Sequence, residues 1–245
     1  MRMKKVAEVL SGWIRKKVEE ASAEGVILGM SGGLDSSVTA VLCKNAFPKS
    51  TLGLIMPCFS DPEDIEHVKQ VAEKFDIETR KVDLSPVFLT VLETLGSKTY
   101  DRDIATANLK PRLRMLVLYY FANKLNYLVV GTGNKSELMI GYFTKYGDGG
   151  VDLLPLGDLL KTEVRALAEV LDIPKAIIEM PPSAGLWVGQ TDETEIGMSY
   201  EVLDGVLKAL ASNDFAGCDM DKVKMVKDMV KKAGHKREKT PVAYL

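Results

Sequence analysis

Cysteine, histidine and long apolar runs are scarce in this sequence, and each scarcity argues against a class of protein. The 245 residues include three cysteines, Cys43, Cys58 and Cys218, and two histidines. No Cys-x-x-Cys spacing occurs, which argues against a disulfide framework, a zinc site or a redox motif and favours buried or half-buried thiols. No apolar run approaches the roughly 20 residues of a membrane span, and the first residues lack the apolar core of a signal peptide. We therefore expect a cytoplasmic protein with no membrane partner.

Neither sign of charge is in large excess. The 32 Lys and Arg and the 34 Asp and Glu give a formal net charge of −2, whereas a general nucleic-acid binder normally carries a large basic excess. The last 25 residues hold eight Lys or Arg and three Asp or Glu, a pattern typical of either a solvated face or a phosphate-binding tail. Because 46% of the residues are apolar and no repeat or linker occurs, we expect a single domain over residues 1–245 and no nucleic-acid partner.

A glycine-rich loop without lysine follows the first apolar run. Gly25-Val-Ile-Leu28 predicts a buried strand, and the residues from Ser36 onward predict a helix. Between them, Gly32 and Gly33 let backbone N–H groups converge on one point, and the helix N-terminus adds partial positive charge there. The loop therefore suits a phosphate. It is neither a Walker A loop nor a dinucleotide fingerprint, because Gly-Lys-Ser/Thr and Gly-x-Gly-x-x-Gly are both absent.

Polar side chains of the same loop refine this prediction. Ser31, Ser36 and Ser37 add hydroxyl donors for an anion. Asp35 would repel a bare phosphate unless a divalent cation lay between them. We therefore expect magnesium beside Asp35.

Apolar runs and helical patterns alternate along the chain, which predicts an α/β fold. The expected strands are a first strand before the loop and four more at 51–56, 77–82, 127–130 and, in short form, 153–156. Such alternation is typical of a doubly wound, parallel, five-stranded sheet with helices on both faces. We expect the strand order 3-2-1-4-5.

This order places a candidate site between the first and fourth strands. Ligands of doubly wound sheets bind at the carboxyl ends of strands where the winding reverses, so the loop at 31–37 and the segment 131–141 should be neighbours. Glu137 would then lie near Asp35, giving two carboxylates suited to magnesium, with Thr132 beside the ligand. Glu137 alone is equally consistent with a glutamate that stabilises the start of its own helix.

A predicted helix over 104–126 carries two apolar stripes. One stripe contains Leu116 and Tyr120, and the other contains Leu118 and Ala122. A helix that is apolar on two faces is either buried between layers or shared with another subunit. We expect a symmetric homodimer interface here, with Leu118 and Ala122 as contact residues.

Short motifs in a fixed order resemble one enzyme family. Ser-Gly-Gly-Leu-Asp-Ser at 31–36 resembles the pyrophosphate loop of the ATP pyrophosphatase superfamily, whose fold is similar to that of adenine nucleotide alpha hydrolases. Together with it, seven further strings resemble ammonia-dependent NAD synthetase over about residues 25 to 240: Asn108-Leu-Lys-Pro-Arg-Leu-Arg114, Gly131-Thr-Gly-Asn-Lys-Ser-Glu137, Gly141-Tyr-Phe-Thr-Lys-Tyr-Gly-Asp-Gly-Gly-Val-Asp152, Pro155-Leu-Gly-Asp-Leu-Leu-Lys-Thr162, Pro181-Pro-Ser-Ala-Gly-Leu186, Asp192-Glu193 and His235-Lys236.

The resemblance implies a role for each matching residue. Asp35, Glu137 and Lys161 are the implied catalytic residues, and Asp35 and Glu137 are also the implied magnesium ligands. The implied ATP contacts are Gly29, Met30, Ser31, Gly32, Gly33, Leu34, Asp35, Ser36, Thr132, Lys161 and Ser183. The implied contacts to deamido-NAD are Arg112, Lys145, Asp152, His235 and Lys236. Without the family match, Lys161 is more typical of an exposed lysine at a helix start than of a site residue.

The family reaction amidates deamido-NAD with ATP and ammonia, giving NAD, AMP and pyrophosphate through an adenylated intermediate. No nitrilase-type glutaminase segment precedes the loop, so we expect ammonia as the direct nitrogen donor. Three alternatives are a GMP-forming synthetase, which lacks the Thr-Lys-Tyr-Gly-Asp string, a tRNA-modifying relative, and a nucleotide-sensing module of the universal-stress type. The unpatterned cysteines and the negative charge argue against the tRNA-modifying relative, and Asp35 beside three serines argues against the sensor.

Overall fold

A four-stranded parallel sheet forms the centre of the computed structural model, which describes residues 2–97, 103–183, 185 and 190–244. The strands are β1 (Gly25–Gly29), β2 (Thr51–Ile55), β3 (Glu78–Lys81) and β4 (Tyr127–Val129). Their order is β3-β2-β1-β4, and each pair is parallel. The predicted positions and order of the first four strands are confirmed.

The prediction of a fifth strand is wrong for the described residues. Leu153 forms a single parallel bridge with Val130, and the chain then turns, with the N–H of Gly157 donating to the carbonyl of Leu154 at 3.1 Å. Pro155 has no N–H to continue a ladder. The sheet therefore has four strands.

Thirteen helices surround the sheet in the described part of the chain. In chain order they are α1 (Arg2–Glu20), α2 (Leu34–Ala46), α3 (Pro62–Lys74), α4 (Ser85–Thr94), α5 (Ile104–Ala107), α6 (Leu109–Leu125), α7 (Lys135–Ile140), α8 (Lys161–Val170), α9 (Lys175–Glu179), α10 (Asp192–Ile196), α11 (Tyr200–Ser212), α12 (Met220–Lys232) and α13 (Gly234–Arg237). Leu186, the last residue of the Pro181–Leu186 motif, lies outside the described residues. None of the described helices is long and apolar enough to cross a membrane.

Both faces of the sheet are covered, as the doubly wound prediction requires. On one face Val26 and Leu28 of β1 pack with α1, α2, α3 and α8. On the other face Ile27 packs with α4 and α6. Successive strand residues point to opposite faces, so a five-residue apolar strand supplies both layers. A third apolar cluster joins α7 to α11 and α12.

The long helix predicted over 104–126 is divided at Asn108 into α5 and α6. Leu118 and Ala122 of α6 are buried against this chain's own sheet. The prediction that these two residues contact a second subunit is therefore wrong, because their stripe covers the sheet. Leu116 and Tyr120, on the other stripe, are 62% and 54% exposed.

Candidate active site

The loop after β1 is held by its glycines and serines. Gly32 has a φ of +87°, and a Cβ placed there would lie 2.3 Å from the carbonyl oxygen of Asp64. Ser31 Oγ donates to Ser36 Oγ at 3.0 Å, and Ser36 Oγ donates to the carbonyl of Gly33 at 3.0 Å. Because the hydroxyls bind loop atoms, their first role here is to shape the loop at the start of α2.

Three charged side chains from distant parts of the sequence meet beside this loop. Lys161 Nζ forms an ion pair with Asp35 Oδ2 and lies 3.4 Å from Glu137 Oε1. The side chain of Lys161 is 7% exposed, against 14% for Asp35 and 16% for Glu137. The approach of Glu137 to Asp35 predicted from strand order is thus present, with Lys161 between them. Because Lys161 is buried, it is not an exposed lysine at a helix start, which was the alternative prediction.

Asn134 connects the two carboxylates through a capping box at the start of α7. Its Nδ2 donates to Asp35 Oδ1 at 3.0 Å, while its Oδ1 accepts from the N–H of Glu137 at 3.1 Å. Glu137 Oε2 in return accepts the N–H of Asn134 at 3.2 Å. One oxygen of Glu137 therefore caps the start of α7, as its alternative role predicted, and the other faces Lys161. The spacing of Asn134 and Glu137 in the sequence is typical of a capping box at the start of a helix.

Burial and the crowding of carboxylates raise the pKa of Glu137 to about 8, although Lys161 opposes the shift. Burial acts to lower the pKa of Lys161, but Asp35 and Glu137 overcome it, so the pKa of Lys161 lies above its usual value. A third buried carboxylate, Asp192, also has a raised pKa, caused first by burial. One ammonium thus faces three carboxylates, an arrangement that favours an added cation.

Tyr200 and Asp192 complete the wall around Lys161. The ring centre of Tyr200 lies 5.2 Å from Lys161 Nζ, and Tyr200 Oη donates to Asp192 Oδ2 at 3.0 Å. Sequence reasoning did not identify Tyr200, whose only signal was its place at a helix start after Ser199. Asp192 belongs to the Asp192-Glu193 string, but the sequence indicated no role for it.

A cavity of about 530 Å³ opens over the loop and the ends of the strands. Most of the predicted ATP contacts line it, as do Glu137 and Lys236: Gly29, Met30, Ser31, Gly33, Leu34, Asp35, Ser36, Thr132, Lys161 and Ser183. Gly32 is the exception among the predicted ATP contacts, because it packs against Asp64. The cavity has room for a nucleotide.

Four of the five predicted substrate contacts lie close together in a group called here the basic rim, and one of them, Lys236, lines this cavity. Arg112 Nη2 donates to the carbonyl of Lys145 at 3.4 Å, and Lys145 Nζ donates to the carbonyl of His235 at 2.6 Å. Lys236 Nζ donates to the carbonyls of Gly141 and Phe143, each at 2.7 Å. The rim is therefore basic, and it consists of α6, the segment after α7, and α13.

Asp152 lies apart from these four residues. Its Oδ1 accepts from Tyr119 Oη at 2.9 Å, and its Oδ2 accepts from the N–H of Val129 at 2.8 Å. These contacts attach it to β4, at the edge of the sheet. The hydrogen bond to Asp152 and burial both raise the pKa of Tyr119, and burial is the larger cause.

A parallel sheet with an anion-binding loop at its switch point, and with carboxylates and a lysine beside that loop, defines a nucleotide-binding α/β protein. The family model for NAD synthase matches residues 6–240. An NH(3)-dependent NAD(+) synthetase from Carboxydothermus hydrogenoformans is 49% identical over 232 residues, which cover 94% of this chain and 93% of that protein. The chain belongs to the NAD synthase family.

Solved structures show the same fold. The NMN synthetase from Francisella tularensis superposes with a TM-score of 0.91 at 33% identity, covering 99% of each chain. The NH3-dependent NAD synthetase from Campylobacter jejuni, solved with a nitrate ion, superposes with a TM-score of 0.86 at 30% identity, covering 100% of each chain. The similarity therefore extends over the full length of both proteins.

Proposed function

We propose that this chain is an ammonia-dependent NAD synthetase, a carbon–nitrogen ligase. The nicotinate carboxylate of deamido-NAD attacks the α phosphorus of ATP, which releases pyrophosphate and forms an acyl adenylate. Ammonia then attacks the acyl carbon, so that AMP leaves and the carboxamide of NAD forms. The cluster of Asp35, Glu137 and Lys161 beside the loop, in a chain of this family, is the observation that carries the proposal.

The protein contributes binding and charge stabilisation in this proposal. Backbone N–H groups at the start of α2 would bind the phosphates, and Lys161 would offset negative charge that develops on the departing pyrophosphate. Thr132 and Ser183 line the same cavity and would position the nucleotide. No protein nucleophile is required, because the substrate carboxylate attacks directly.

Magnesium fits the donor set at the loop. The described residues contain no cluster of three or more histidine, cysteine or acidic side chains arranged as a metal site. Magnesium commonly takes only one or two carboxylates and completes its shell with water and phosphate oxygens. Asp35 and Glu137 would hold the ion, and it would neutralise the pyrophosphate when bound. Lys161 would then be released from part of its ion pairing to contact ATP.

The basic rim suits deamido-NAD, which carries two phosphates and a carboxylate. Arg112, Lys145, His235 and Lys236 would supply charge-assisted donors. Asp152 would contribute from the edge of the sheet, with its carboxylate oriented by Tyr119. Lys236 donates to the carbonyls at the end of α7, so it would also stabilise that end of the site.

Ammonia is the proposed direct nitrogen donor for this 245-residue chain. Cys43 and Cys58 are buried and Cys218 is half-buried, and burial raises the pKa of Cys58. A glutaminase nucleophile needs an accessible thiolate. The two buried cysteines, Cys43 and Cys58, do not meet that need.

A homodimer is proposed through the exposed stripe of α6. Leu116 and Tyr120 lie on this stripe, and Arg112, one turn earlier on the same helix, belongs to the basic rim. A two-fold contact along α6 would bury the stripe and bring the two rims close together. The proposed substrate site would then lie near the interface.

The test is to incubate the chain with ATP, magnesium, ammonium and deamido-NAD and to measure AMP and NAD. Replacing ammonium with glutamine should give no NAD, and replacing deamido-NAD with xanthylate should give no GMP. The similarity to an NMN synthetase makes nicotinate mononucleotide the second substrate to try. A kcat/KM higher for the mononucleotide than for deamido-NAD would favour that alternative.

A further inference from the structure

The carboxylate of Asp204, on α11, lies at the start of α8 and is not among the residues assigned above. Asp204 is only 1% exposed. Its Oδ1 accepts a hydrogen bond from Ser136 Oγ. Its Oδ2 accepts from the N–H of Thr162 at 2.9 Å and from Thr162 Oγ1 at 2.8 Å. Donors from α7 and α8 therefore converge on one buried carboxylate of α11.

These bonds bind N–H groups at the start of α8 that the apolar side chain of Leu160 cannot cap, while Glu163 Oε2 accepts only the N–H of Leu160 itself. The residue before α8 is Leu160, and no hydrogen bond from its side chain caps the helix. The N–H of Lys161 instead donates to Ser136 Oγ at 3.0 Å, and the N–H of Thr162 donates to Asp204. The first N–H groups of a helix have no partner within the helix. The start of α8 therefore depends on α7 and α11.

The two residues that Asp204 contacts are sequence neighbours of two site residues. Ser136 directly precedes Glu137, and Thr162 directly follows Lys161. Ser136 is fully buried, and its hydroxyl donates to Asp204 while accepting from Lys161. One carboxylate thus connects the backbones that carry Glu137 and Lys161.

The same face of α11 also contacts the far end of the Lys161 side chain. Tyr200 lies four residues before Asp204, so the two side chains project from one face of the helix. The ring of Tyr200 lies beneath Lys161 Nζ, as described above. Hence α11 contacts Lys161 at its side-chain amine and, through Ser136 and Thr162, at its backbone.

We propose that Asp204 is a positioning residue that holds Lys161 and Glu137 in register across the starts of α7 and α8. This inference rests on the proposed function, because it takes Lys161 and Glu137 to be members of the active site. Because Asp204 acts on the position of these groups, its loss should lower kcat with little change in KM for either nucleotide. A displacement of about 1 Å at a reacting group can cost roughly 10²-fold in rate.

The experiment compares Asp204→Ala, Asp204→Asn and Thr162→Val in steady-state NAD formation, with melting temperatures measured in parallel. For Asp204→Ala we expect a kcat loss of about 10–100-fold and KM values for ATP and deamido-NAD within about threefold of wild type. Asp204→Asn keeps an acceptor for Thr162 and should restore part of kcat. Thr162→Val removes one of the three hydrogen-bond donors to Asp204, so it should lower kcat less than Asp204→Ala does. It also allows the proposal to be tested if Asp204→Ala does not fold.

Asp219→Ala is the matched control. Asp219 caps α12 by accepting the N–H groups of Asp221 and Lys222, away from the site. This variant should lower the melting temperature and leave kcat unchanged. A kcat for Asp204→Ala and Thr162→Val that equals that of Asp219→Ala, or a loss found only in KM, would overturn the proposal.

A double-mutant cycle separates a shared network from independent effects. If Ser136 and Asp204 act together, Ser136→Ala should lower kcat much less in the Asp204→Ala background than in wild type. Additive losses would contradict the network. A wild-type chain that makes no NAD would refute the proposed function instead, so the two failures are distinguishable.

Discussion

At the scale of single residues, the site is a buried cluster with more negative than positive charge. Asp35 and Glu137 share one ammonium, and Asp192 lies close enough to raise the pKa of Glu137 further. Burying like charges side by side is costly unless a cation enters or a proton binds. The cluster therefore lowers the stability of the unliganded chain, and the proposed binding of magnesium and phosphates would offset this cost.

Asp35→Asn should lower the rate of pyrophosphate release by about 10²–10³-fold, because it removes one of the proposed magnesium ligands. Folding should be retained, since Lys161 keeps Glu137 as a partner. The measurement is pyrophosphate release with ATP, magnesium and deamido-NAD, together with the melting temperature.

Asp158→Asn is the control for loss of an aspartate–lysine pair. Asp158 lies 2.7 Å from Lys135 Nζ and is almost fully exposed, and exposed pairs contribute little. Its rate should stay within about twofold of wild type. Near-normal pyrophosphate release by Asp35→Asn would contradict the metal assignment.

Glu137→Gln should make the unliganded chain more stable than wild type at alkaline pH. The pKa of Glu137 is 4.5 in its ordinary state and about 8 in the fold, so between these values the folded chain binds more protons than the unfolded chain. The free energy of unfolding of the wild type therefore falls as the pH rises through this range. The free energy of unfolding of the glutamine variant does not fall in this way. Its excess over the wild-type value should therefore grow from pH 5 to pH 8.

Urea unfolding at several pH values, without ATP or magnesium, measures this difference. NAD formation by Glu137→Gln should be strongly reduced at every pH, since the proposed ligand is gone. If the free energy of unfolding of the variant exceeded that of the wild type by more at acid pH than at alkaline pH, the pKa of Glu137 would not be raised in the fold.

At the scale of elements, close approach of the backbone explains why the loop after β1 needs glycine at one position. Gly32 adopts a left-handed conformation against the backbone of α3. Gly33 has an ordinary φ of −80°, and a Cβ there would make an ordinary contact of 3.5 Å with Ser31 Oγ. Two adjacent glycines thus meet different constraints. The sequence alone, which shows only a glycine pair, does not distinguish them.

Gly32→Ala should destabilise the chain by more than about 1–2 kcal/mol, because it combines the left-handed penalty with a clash against Asp64. Gly33→Ala is the matched control and should change the free energy of unfolding by less than about 1 kcal/mol. Denaturant titration of both variants measures the difference. Equal stabilities would mean that the loop moves freely away from α3.

Helix boundaries also show where local sequence signals are sufficient to predict structure. Asp61 before Pro62 predicts the start of α3, and the carboxylate of Asp61 accepts the N–H of Glu63 at 3.0 Å. The helix α11 begins at Tyr200, because Gly197, with a φ of +78°, ends α10 and Ser199 then caps α11. Side-chain caps and glycine turns set these boundaries more sharply than apolar spacing does.

At the scale of the whole molecule, the two apolar stripes of α6 have different surroundings, which its sequence alone does not distinguish. Its inner stripe covers the sheet, and its outer stripe is exposed in a single chain. An exposed apolar stripe of this kind is typical of a subunit interface. The homodimer stays a prediction, now assigned to the outer stripe.

Leu116→Glu combined with Tyr120→Glu should yield monomers, because charge on the outer stripe would have to be desolvated on association. The measurement is the sedimentation mass at micromolar concentrations, with melting temperature as a check on folding. Val87→Glu combined with Leu89→Glu on α4 is the control, since these residues are similarly exposed but lie outside α6. A monomeric wild type, or dimers in both variants, would contradict the interface.

The sequence by itself determined the elements whose signals are local. Apolar runs indicate β1, β2 and β4, whereas β3 (Glu78–Lys81) is polar and exposed and is marked only by the apolar residues at its two ends. The alternation with helices predicts a parallel sheet, and the glycine–serine–aspartate loop predicts an anion site. The meeting of Asp35 with Glu137 followed from strand order, since carboxyl ends of adjacent parallel strands share one edge. These inferences succeed because each depends on backbone geometry that neighbouring residues impose.

Only the tertiary structure decided which long-range contacts those elements make. The burial of Lys161 between two carboxylates, the inward direction of Leu118 and Ala122, and the end of the sheet after Leu153 all depend on packing between distant segments. Asp204 is the clearest case, because a mid-helix aspartate in α11 has no local signal, yet it accepts the N–H of Thr162 at the start of α8. Propensity and periodicity describe one segment at a time, whereas such partners are chosen when helices from different parts of the chain pack together.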